Sequence, residues 1–397
     1  MLRVLTLSTL FPDASRPNFG VFVERQTLGL ARLPAIEMKV VAPIGLPIFP
    51  LRRLHRFDAL AAQPERECWK GLDIRRPRFA TIPGTGGRFH VAALVRALTP
   101  VIDRLRAEFA FDVIDAEFFF PDGPAAIALG KRYGVPVSIK ARGADVHFWG
   151  RGATGGQVRH AARRADGLLA VSGAMRNDLM ALGVAEDRIL VHHTGVDLTA
   201  FAPADRTVGK AKLGVQGPLV VSVGALIERK GHSLIIDALS DIAGATLLIA
   251  GDGPDRAKLE KQIARLGIGD RVRLLGSVPH AELPALMAAA DVMALASASE
   301  GLANVWVEAL ACGTPIVITD VGGAREVVTE AAFGRIVDRT AGAFAAAIAE
   351  LIAAPPPQDA VRRAAMRFTW EANAAALAAH LRGLIDRKAS ASRQKAL

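Results

Sequence analysis

Short apolar runs alternate with amphipathic stretches along most of the chain. LRVLTLS (2–8), EMKVVAP (37–43), DVIDAEF (112–118), PVSIKA (136–141), GLLAVS (167–172) and RILVHH (188–193) have the length and composition of strands. Between them, VFVERQTLGLARL (21–33), VAALVRALTPVIDRLRAEF (91–109) and GPAAIALGKRYG (123–134) read as helices. The stretch 44–90, rich in Pro, Gly and Arg, predicts loop and short strands near a sheet edge. FAPADRTVGKAKLGVQG (201–217) has no strong period and follows a completed strand, which predicts a linker. A second strand series follows: PLVVSVG (218–224), ATLLIAG (245–251), VRLLG (272–276), VMALA (292–296), PIVITD (315–320) and GRIVD (334–338). FTWEANAAALAAHLRGLIDR (368–387) is an amphipathic helix, and KASASRQKAL (388–397) reads as a basic disordered tail.

Strand–helix alternation predicts parallel sheets, here in two α/β, doubly wound, Rossmann-like units. The expected division is a domain over 1–204, a linker over 205–217, a domain over 218–367, the helix 368–387 and the tail 388–397. Ligands of such sheets bind beyond the carboxyl ends of the strands, so a cleft faced by both units is the expected site.

A length of 397 residues, half of them apolar and about a fifth charged, fits two globular domains rather than a disordered chain. Cys68 and Cys312 stand far apart without metal-ligand spacing, against a disulfide framework or a zinc site and in favour of a reducing, cytoplasmic setting. No apolar run reaches the ~18 residues that span a bilayer. MLRVLTLSTLFPD lacks the cleavage pattern of a secretory leader and reads as a buried first strand. The net charge of +10 is uneven: residues 1–200 hold 27 Lys/Arg against 19 Asp/Glu, residues 201–381 hold 17 against 19, and residues 382–397 hold 5 against 1. FPLRRLHRF (49–57) and GLDIRRPRF (71–79) mix arginine with apolar residues. Such mixtures suit an anionic membrane surface or nucleic acid, or are simply a solvated face; membrane is the reading favoured over nucleic acid.

Candidate chemistry gathers after the strands. GALIERKGH places Arg229 and Lys230 before a helix start, where a diphosphate would find both cations and free N–H groups. AGDGPDRAKLE (250–260) lacks the G-x-G-x-x-G spacing, and a tight turn explains it equally well. In EGLANVWVEALACGTP (300–315), Gly301 permits close approach of a ligand, and Ala303, Asn304 and Val305 offer N–H groups at a helix N-terminus. Glu300 and Glu308 bracket that start, and carboxylates accept well from vicinal hydroxyls.

In this order, and followed by GTPIVITDVGGAREVV (313–328), these stretches resemble the C-terminal half of a family 4 retaining glycosyltransferase of the GT-B fold. The resemblance extends to VSGAMRNDLMALGVAEDRILVHHTGVDLTAFAP (171–203) and to RFTWEANAAAL, where the family's last helix crosses back to the first domain. It implies a hexosyltransferase using a nucleotide-diphospho-sugar donor, with Glu308 on the ribose hydroxyls, Glu300 on the transferred sugar, the backbone after Gly301 facing that sugar, and Lys230 on the diphosphate. Gly20, in PNFGVFVERQ, matches the family's glycine-rich donor loop. No metal or other cofactor is expected.

Three positions depart from the family's pattern. Gly224-Ala225-Leu226 stands for Gly-Arg-Leu, so Arg229 is the stand-in for the missing arginine's charge; Thr194 replaces the usual Asn; and Arg142-Gly143-Ala144-Asp145 replaces His-Gly-x-Asp. Arg142 is then a candidate for catalysis or phosphate binding with Asp145 orienting it, and His147 a candidate substitute for the histidine. Asp115 and Glu117, at a strand's carboxyl end and expected to face the cleft, are candidates for acceptor hydroxyls or for pairing with Arg142. RPNFGVFVERQ, PDG and RGAD look most like the branch that builds bacterial exopolysaccharide, capsule or teichuronic-type polymers, whose acceptors are commonly glycans on polyprenyl diphosphates. That implies an enzyme peripheral to the inner face of the plasma membrane. A GT-B nucleotide-sugar 2-epimerase and a non-catalytic sugar- or lipid-binding relative are the competing readings.

Overall fold

The computed structural model describes residues 1–396. The chain forms two compact units, Met1–His193 with Trp370–Leu397 and Thr194–Thr369. Each is built on a largely or wholly parallel sheet flanked by helices.

The N-terminal unit has an eight-stranded sheet in the order Ile189–Val191, Gly167–Ala170, Val137–Ala141, Val113–Ala116, Leu2–Leu7, Ile36–Val41, Leu72–Arg75, Arg66–Trp69. All neighbours run parallel except the last pair, an antiparallel hairpin at the edge. Leu2–Leu7 is the inner strand from which the order runs both ways, so the expected first strand is a core strand. The segment 44–90 adds that hairpin and a separate parallel pair, Ile44–Pro47 with Arg78–Thr81. The helix Trp370–Ala396 belongs to this unit: Leu377, Ala378, Leu381 and Leu384 pack on Leu2, Val4, Leu30, Val113 and Leu169. It runs past the end expected at 387, so residues 388–396 are helical where a disordered tail was expected; Leu397 lies outside the described residues.

The C-terminal unit has a six-stranded, fully parallel sheet in the order Val272–Gly276, Thr246–Ala250, Leu219–Val223, Val292–Leu295, Ile316–Thr319, Gly334–Val337. Burial on both faces accounts for near-continuous apolar strands such as LVVSV and VMAL. The expected linker is not featureless. Asp205 accepts from the backbone N–H groups of Thr207 and Val208 and starts the helix Arg206–Lys212. The chain changes unit earlier, between His193 and Thr194.

Candidate active site

In the C-terminal unit the sheet order reverses direction between Leu219–Val223 and Val292–Leu295, and the loops leaving these neighbours diverge there. Gly231 closes the first loop with φ 69°, and a Cβ on it would stand 2.1 Å from the Ala296 carbonyl oxygen. Only glycine lets the two loops touch in this way. As a result Lys230 Nζ donates to Glu300 Oε1 at 2.6 Å. Ser297 Oγ donates to the same oxygen at 2.7 Å, and Arg229 Nη1 lies 3.6 Å from it while also donating to the Ser299 carbonyl. Arg339 braces both loops by donating to the carbonyls of Ala296 (2.9 Å) and Glu228 (3.2 Å). The Glu300–Gly301 turn rests on the next strand's loop, where Gly323 N donates to Gly301 O at 2.7 Å.

The helix that follows is Asn304–Ala311, and no side chain caps its start at Ala303. The first N–H groups there, with Asn304 and Val305 half-buried, are available to an acceptor atom. Glu308 sits among Trp306, Val307 and Ala309 and is only 7% exposed. Its carboxylate is held by His280 Nε2, 2.8 Å from Oε1, and the imidazole packs edge-on against Phe201 at 5.3 Å. His232 opens the helix after Gly231. Burial pushes its pKa down to about 4, so the ring is neutral, with Nδ1 3.0 Å from Ser222 Oγ and Nε2 unpartnered. Ser297, His280 and His232 were missed from the sequence, where a lone polar residue at a strand end gives no periodic signal.

The N-terminal unit has its own reversal, between Leu2–Leu7 and Val113–Ala116. Gly20 caps the helix Val21–Ala31 with φ 70°, and a Cβ would meet the Leu10 carbonyl oxygen at 2.5 Å. Arg142, a candidate for catalysis or phosphate binding, takes up the other role the sequence offered and pairs with Glu117. Its Nε donates to the Glu117 carbonyl at 2.7 Å, its Nη2 pairs with the Glu117 carboxylate, and its guanidinium lies 4.7 Å from the Phe22 ring centroid. Glu117 also accepts from Gln26, Gln26 accepts from Lys140, and Lys140 Nζ stands 2.9 Å from His192 Nδ1. His192 Nε2 donates to the Asn373 carbonyl at 2.8 Å, which ties the network to the last helix. Burial lowers Lys140 to about 7 and His192 well below its ordinary value.

Three expectations are corrected by burial. Asp115 and Glu117 are buried, so neither faces outward; desolvation, with Glu117 beside it, holds the Asp115 carboxyl well above the ordinary range. Asp145 is fully buried, and its oxygens accept from the backbone N–H groups of Phe119, Arg142, Gly143 and Val146, leaving it a loop brace rather than an acceptor ligand. His147 is half-buried and held by Asp178, with Nε2 2.7 Å from Oδ2. The structure therefore gathers Arg229, Lys230 and Glu300 in one cluster, with Gly301, Ala303, Asn304, Val305 and Glu308 on the turn and helix that continue from it. Gly20, Asp115, Glu117, Arg142, Asp145 and His147 belong to the other unit.

Residues 205–368 match the family described as glycosyl transferases group 1, and residues 50–200 match glycosyltransferase family 4. The Bacillus subtilis protein named for teichuronic acid biosynthesis, the glycosyltransferase TuaC, is 27% identical over 357 residues, covering 87% of this chain and 88% of that protein. Among solved structures, sucrose-phosphate synthase from Thermosynechococcus elongatus superposes with a TM-score of 0.82 at 21% identity, covering 98% of this chain and all of that one. HepE of Anabaena, solved in complex with UDP, does so with a TM-score of 0.67 at 22% identity, covering 99% of this chain and all of that one. The chain belongs to the family 4 glycosyltransferases, and it is a glycosyltransferase with the GT-B fold.

Proposed function

We propose that this enzyme moves a hexosyl group, with retention at the anomeric carbon, from a nucleotide-diphospho-sugar to a glycan or lipid-linked acceptor of a cell-surface polysaccharide. The observation that carries the donor half is the Lys230–Ser297–Glu300 cluster at the reversal of the C-terminal sheet, with the uncapped helix bearing Glu308 directly after it. In this reading Glu308 accepts from the ribose hydroxyls and Glu300 holds the transferred sugar. When the bond between the anomeric carbon and the diphosphate oxygen breaks, negative charge grows on the departing nucleoside diphosphate. Lys230, Arg229 and the helix N–H groups stand where that charge would be stabilised. The acceptor hydroxyl attacks on the same face and its proton passes to the departing phosphate oxygen, so no side-chain base is required. Arg142, already paired with Glu117, has no part in this scheme. Lys230 and Arg229 take over the neutralisation of the diphosphate, and no metal is assigned to it.

The similarity to TuaC supports a polysaccharide product, and the UDP held by HepE supports a nucleotide donor. The basic, apolar segment 48–57 supports work at the inner face of the plasma membrane: Phe49, Leu51 and Leu54 are exposed beside Arg52, Arg53 and Arg56. No helix among the described residues is long and apolar enough to cross a membrane.

A panel of UDP-, GDP- and ADP-sugars, scored by thermal stabilisation, tests the donor. At least one should raise the melting temperature, and turnover of that donor should fall about tenfold or more in Lys230→Ala. Normal turnover in a folded Lys230→Ala protein would sink the diphosphate assignment.

A further inference from the structure

Glu308 is oriented by a line of contacts that begins far from it in sequence. His280, which bonds to its Oε1, comes from the irregular loop 277–282 between the strand Val272–Gly276 and the helix Leu283–Ala289. No regular element fixes that imidazole, so its direction depends on what the ring touches. One nitrogen meets Glu308 at 2.8 Å, and the ring meets Phe201 at 5.3 Å between centroids with the planes at 72°. Such an edge-to-face contact is directional, unlike packing against an aliphatic side chain. Phe201 is fully buried and has no freedom to follow the imidazole if it turns.

Phe201 is held in turn by the backbone around it. Asp197 Oδ1 accepts from the N–H groups of Thr199 and Ala200 at 3.0 Å, and Phe201 N donates to Asp197 O at 2.8 Å. Arg362 grips the same turn: Nη2 donates to the Leu198 carbonyl at 2.7 Å and Nη1 to the Phe201 carbonyl at 2.9 Å. That Nη1 also donates at 2.6 Å to the carbonyl of Ala311, the last residue of the helix Asn304–Ala311. Final-turn carbonyls have no partner within a helix, and a cation there also suits the helix dipole. Glu308 lies in that last turn, where Cys312 N donates to its carbonyl at 3.2 Å. One guanidinium therefore fixes both the helix that carries the carboxylate and the turn that carries the ring. A lysine ammonium is a single point and cannot span three carbonyls of two segments.

Arg271 offers a contrast within the same unit. It donates to the carbonyls of Ile242 (2.9 Å) and Ala245 (3.4 Å), beside the amino ends of the strands Thr246–Ala250 and Val272–Gly276. The candidate site lies at the carboxyl ends, so Arg271 braces the fold outside the line that leads to Glu308.

We propose that Phe201 and Arg362 are positioning residues for the donor nucleoside: through His280 and the end of the helix Asn304–Ala311 they aim the Glu308 carboxylate at the ribose hydroxyls. The assignment rests on the reading of Glu308 as the ribose ligand.

The test compares UDP, GDP and ADP with their 2′,3′-dideoxy counterparts on the full chain, by calorimetry. For whichever base binds, the ratio of the two dissociation constants reads the ribose hydroxyls alone. The dideoxy nucleotide should bind the wild type about tenfold or more weakly, and Glu308→Ala should bring the ratio close to one. Phe201→Leu keeps a buried apolar side chain and Arg362→Lys keeps the charge. Each should lower the ratio about threefold or more, because a carboxylate turned out of line loses hydrogen-bond geometry. Affinity for the dideoxy nucleotide should stay within about twofold, since that ligand makes no use of the carboxylate. Arg271→Lys should keep the wild-type ratio. A merely structural loss weakens both nucleotides alike and leaves the ratio standing; that result in a folded Phe201→Leu or Arg362→Lys protein, checked by melting temperature, overturns the assignment. So does loss of the ratio in Arg271→Lys. A wild type that binds both forms equally, or none of the three nucleotides, sinks the ribose reading and this inference with it. A ratio lost in Glu308→Ala but kept in Phe201→Leu and Arg362→Lys sinks the inference alone.

Discussion

Lys230, Ser297 and Glu300 neutralise and bond one another, so the cluster is settled before any substrate arrives. Glu308 is different: His280 engages one of its oxygens and the surrounding helix is apolar, and in the proposed reading the carboxylate accepts from ligand hydroxyls. Glu308→Ala should weaken the stabilising nucleotide sugar about tenfold or more, and His280→Ala should do so by less, since it removes an orienting bond and not the acceptor itself. Equal affinity in Glu308→Ala, measured by calorimetry, rules the ribose role out. The two glutamates and Lys230 could be read from spacing because charge beside a helix start is conspicuous in a sequence. Ser297 and His280 could not, because each matters only through a neighbour brought close by the fold. The pairing of Glu117 with Arg142 was among the expectations, but the sequence could not tell that Asp115, two residues earlier, is sealed inside the unit. Asp122 is a further such case: it is fully buried, accepts from Thr9 N at 2.8 Å, and desolvation raises its pKa to about 7. Its folded state therefore holds a proton that the unfolded chain has released between roughly pH 4 and 7. The stability this proton gives is complete below pH 4 and lost as pH rises through 7. Asp122→Asn, which mimics the neutral acid, should match the wild type near pH 4 and exceed it at pH 8 by up to about 4 kcal/mol in urea unfolding. A constant difference across that range contradicts the burial argument.

Strands were placed to within one or two residues at most ends, since fully buried parallel strands leave short apolar runs bounded by turn residues. The helix Arg206–Lys212 was taken for linker because seven residues are too few to show a period, although Asp205 at its start is a capping residue. The end of Trp370–Ala396 was misplaced because its last turns are polar all round and their composition matches that of a disordered tail. At this scale the loop before the helix His232–Ser240 is the most constrained element of the candidate site. Gly231 needs a positive φ, and its Cα faces the Ala296 carbonyl with no room for a methyl group. Gly231→Ala must separate the two loops, which pulls Lys230 away from Glu300. Turnover should drop about tenfold or more and stability should fall by more than ~1 kcal/mol. If Gly231→Ala melts and turns over like the wild type, close contact between these loops is not what positions Lys230.

At the scale of the whole chain the charge is divided: the first 200 residues carry an excess of eight cations, and residues 201–381 carry a small excess of anions. The distribution was legible in the sequence, but its exposure was not. Two short 3-10 turns, Leu51–Arg53 and His55–Phe57, leave Phe49, Leu51 and Leu54 in solvent with Arg52, Arg53 and Arg56 among them, and Arg53 stacks 5.1 Å from the Phe49 ring centroid. Each arginine close to an anionic lipid surface contributes about 1 kcal/mol, so in the membrane reading three of them with a few inserted apolar side chains would support reversible attachment. That attraction reaches ~10 Å at 0.1 M salt and only ~3 Å at 1 M. The protein should therefore float with phosphatidylglycerol vesicles at low salt, dissociate in large part at high salt, and ignore phosphatidylcholine vesicles. Arg52, Arg53 and Arg56 changed together to Glu should abolish flotation, while Phe49→Ala weakens it at every salt concentration because the apolar part is not screened. Both substitutions lie in the N-terminal unit, so stabilisation by the nucleotide sugar serves as the control for folding. Flotation that is indifferent to salt, or equal on neutral vesicles, would remove the membrane surface from the account and leave the donor site as it stands.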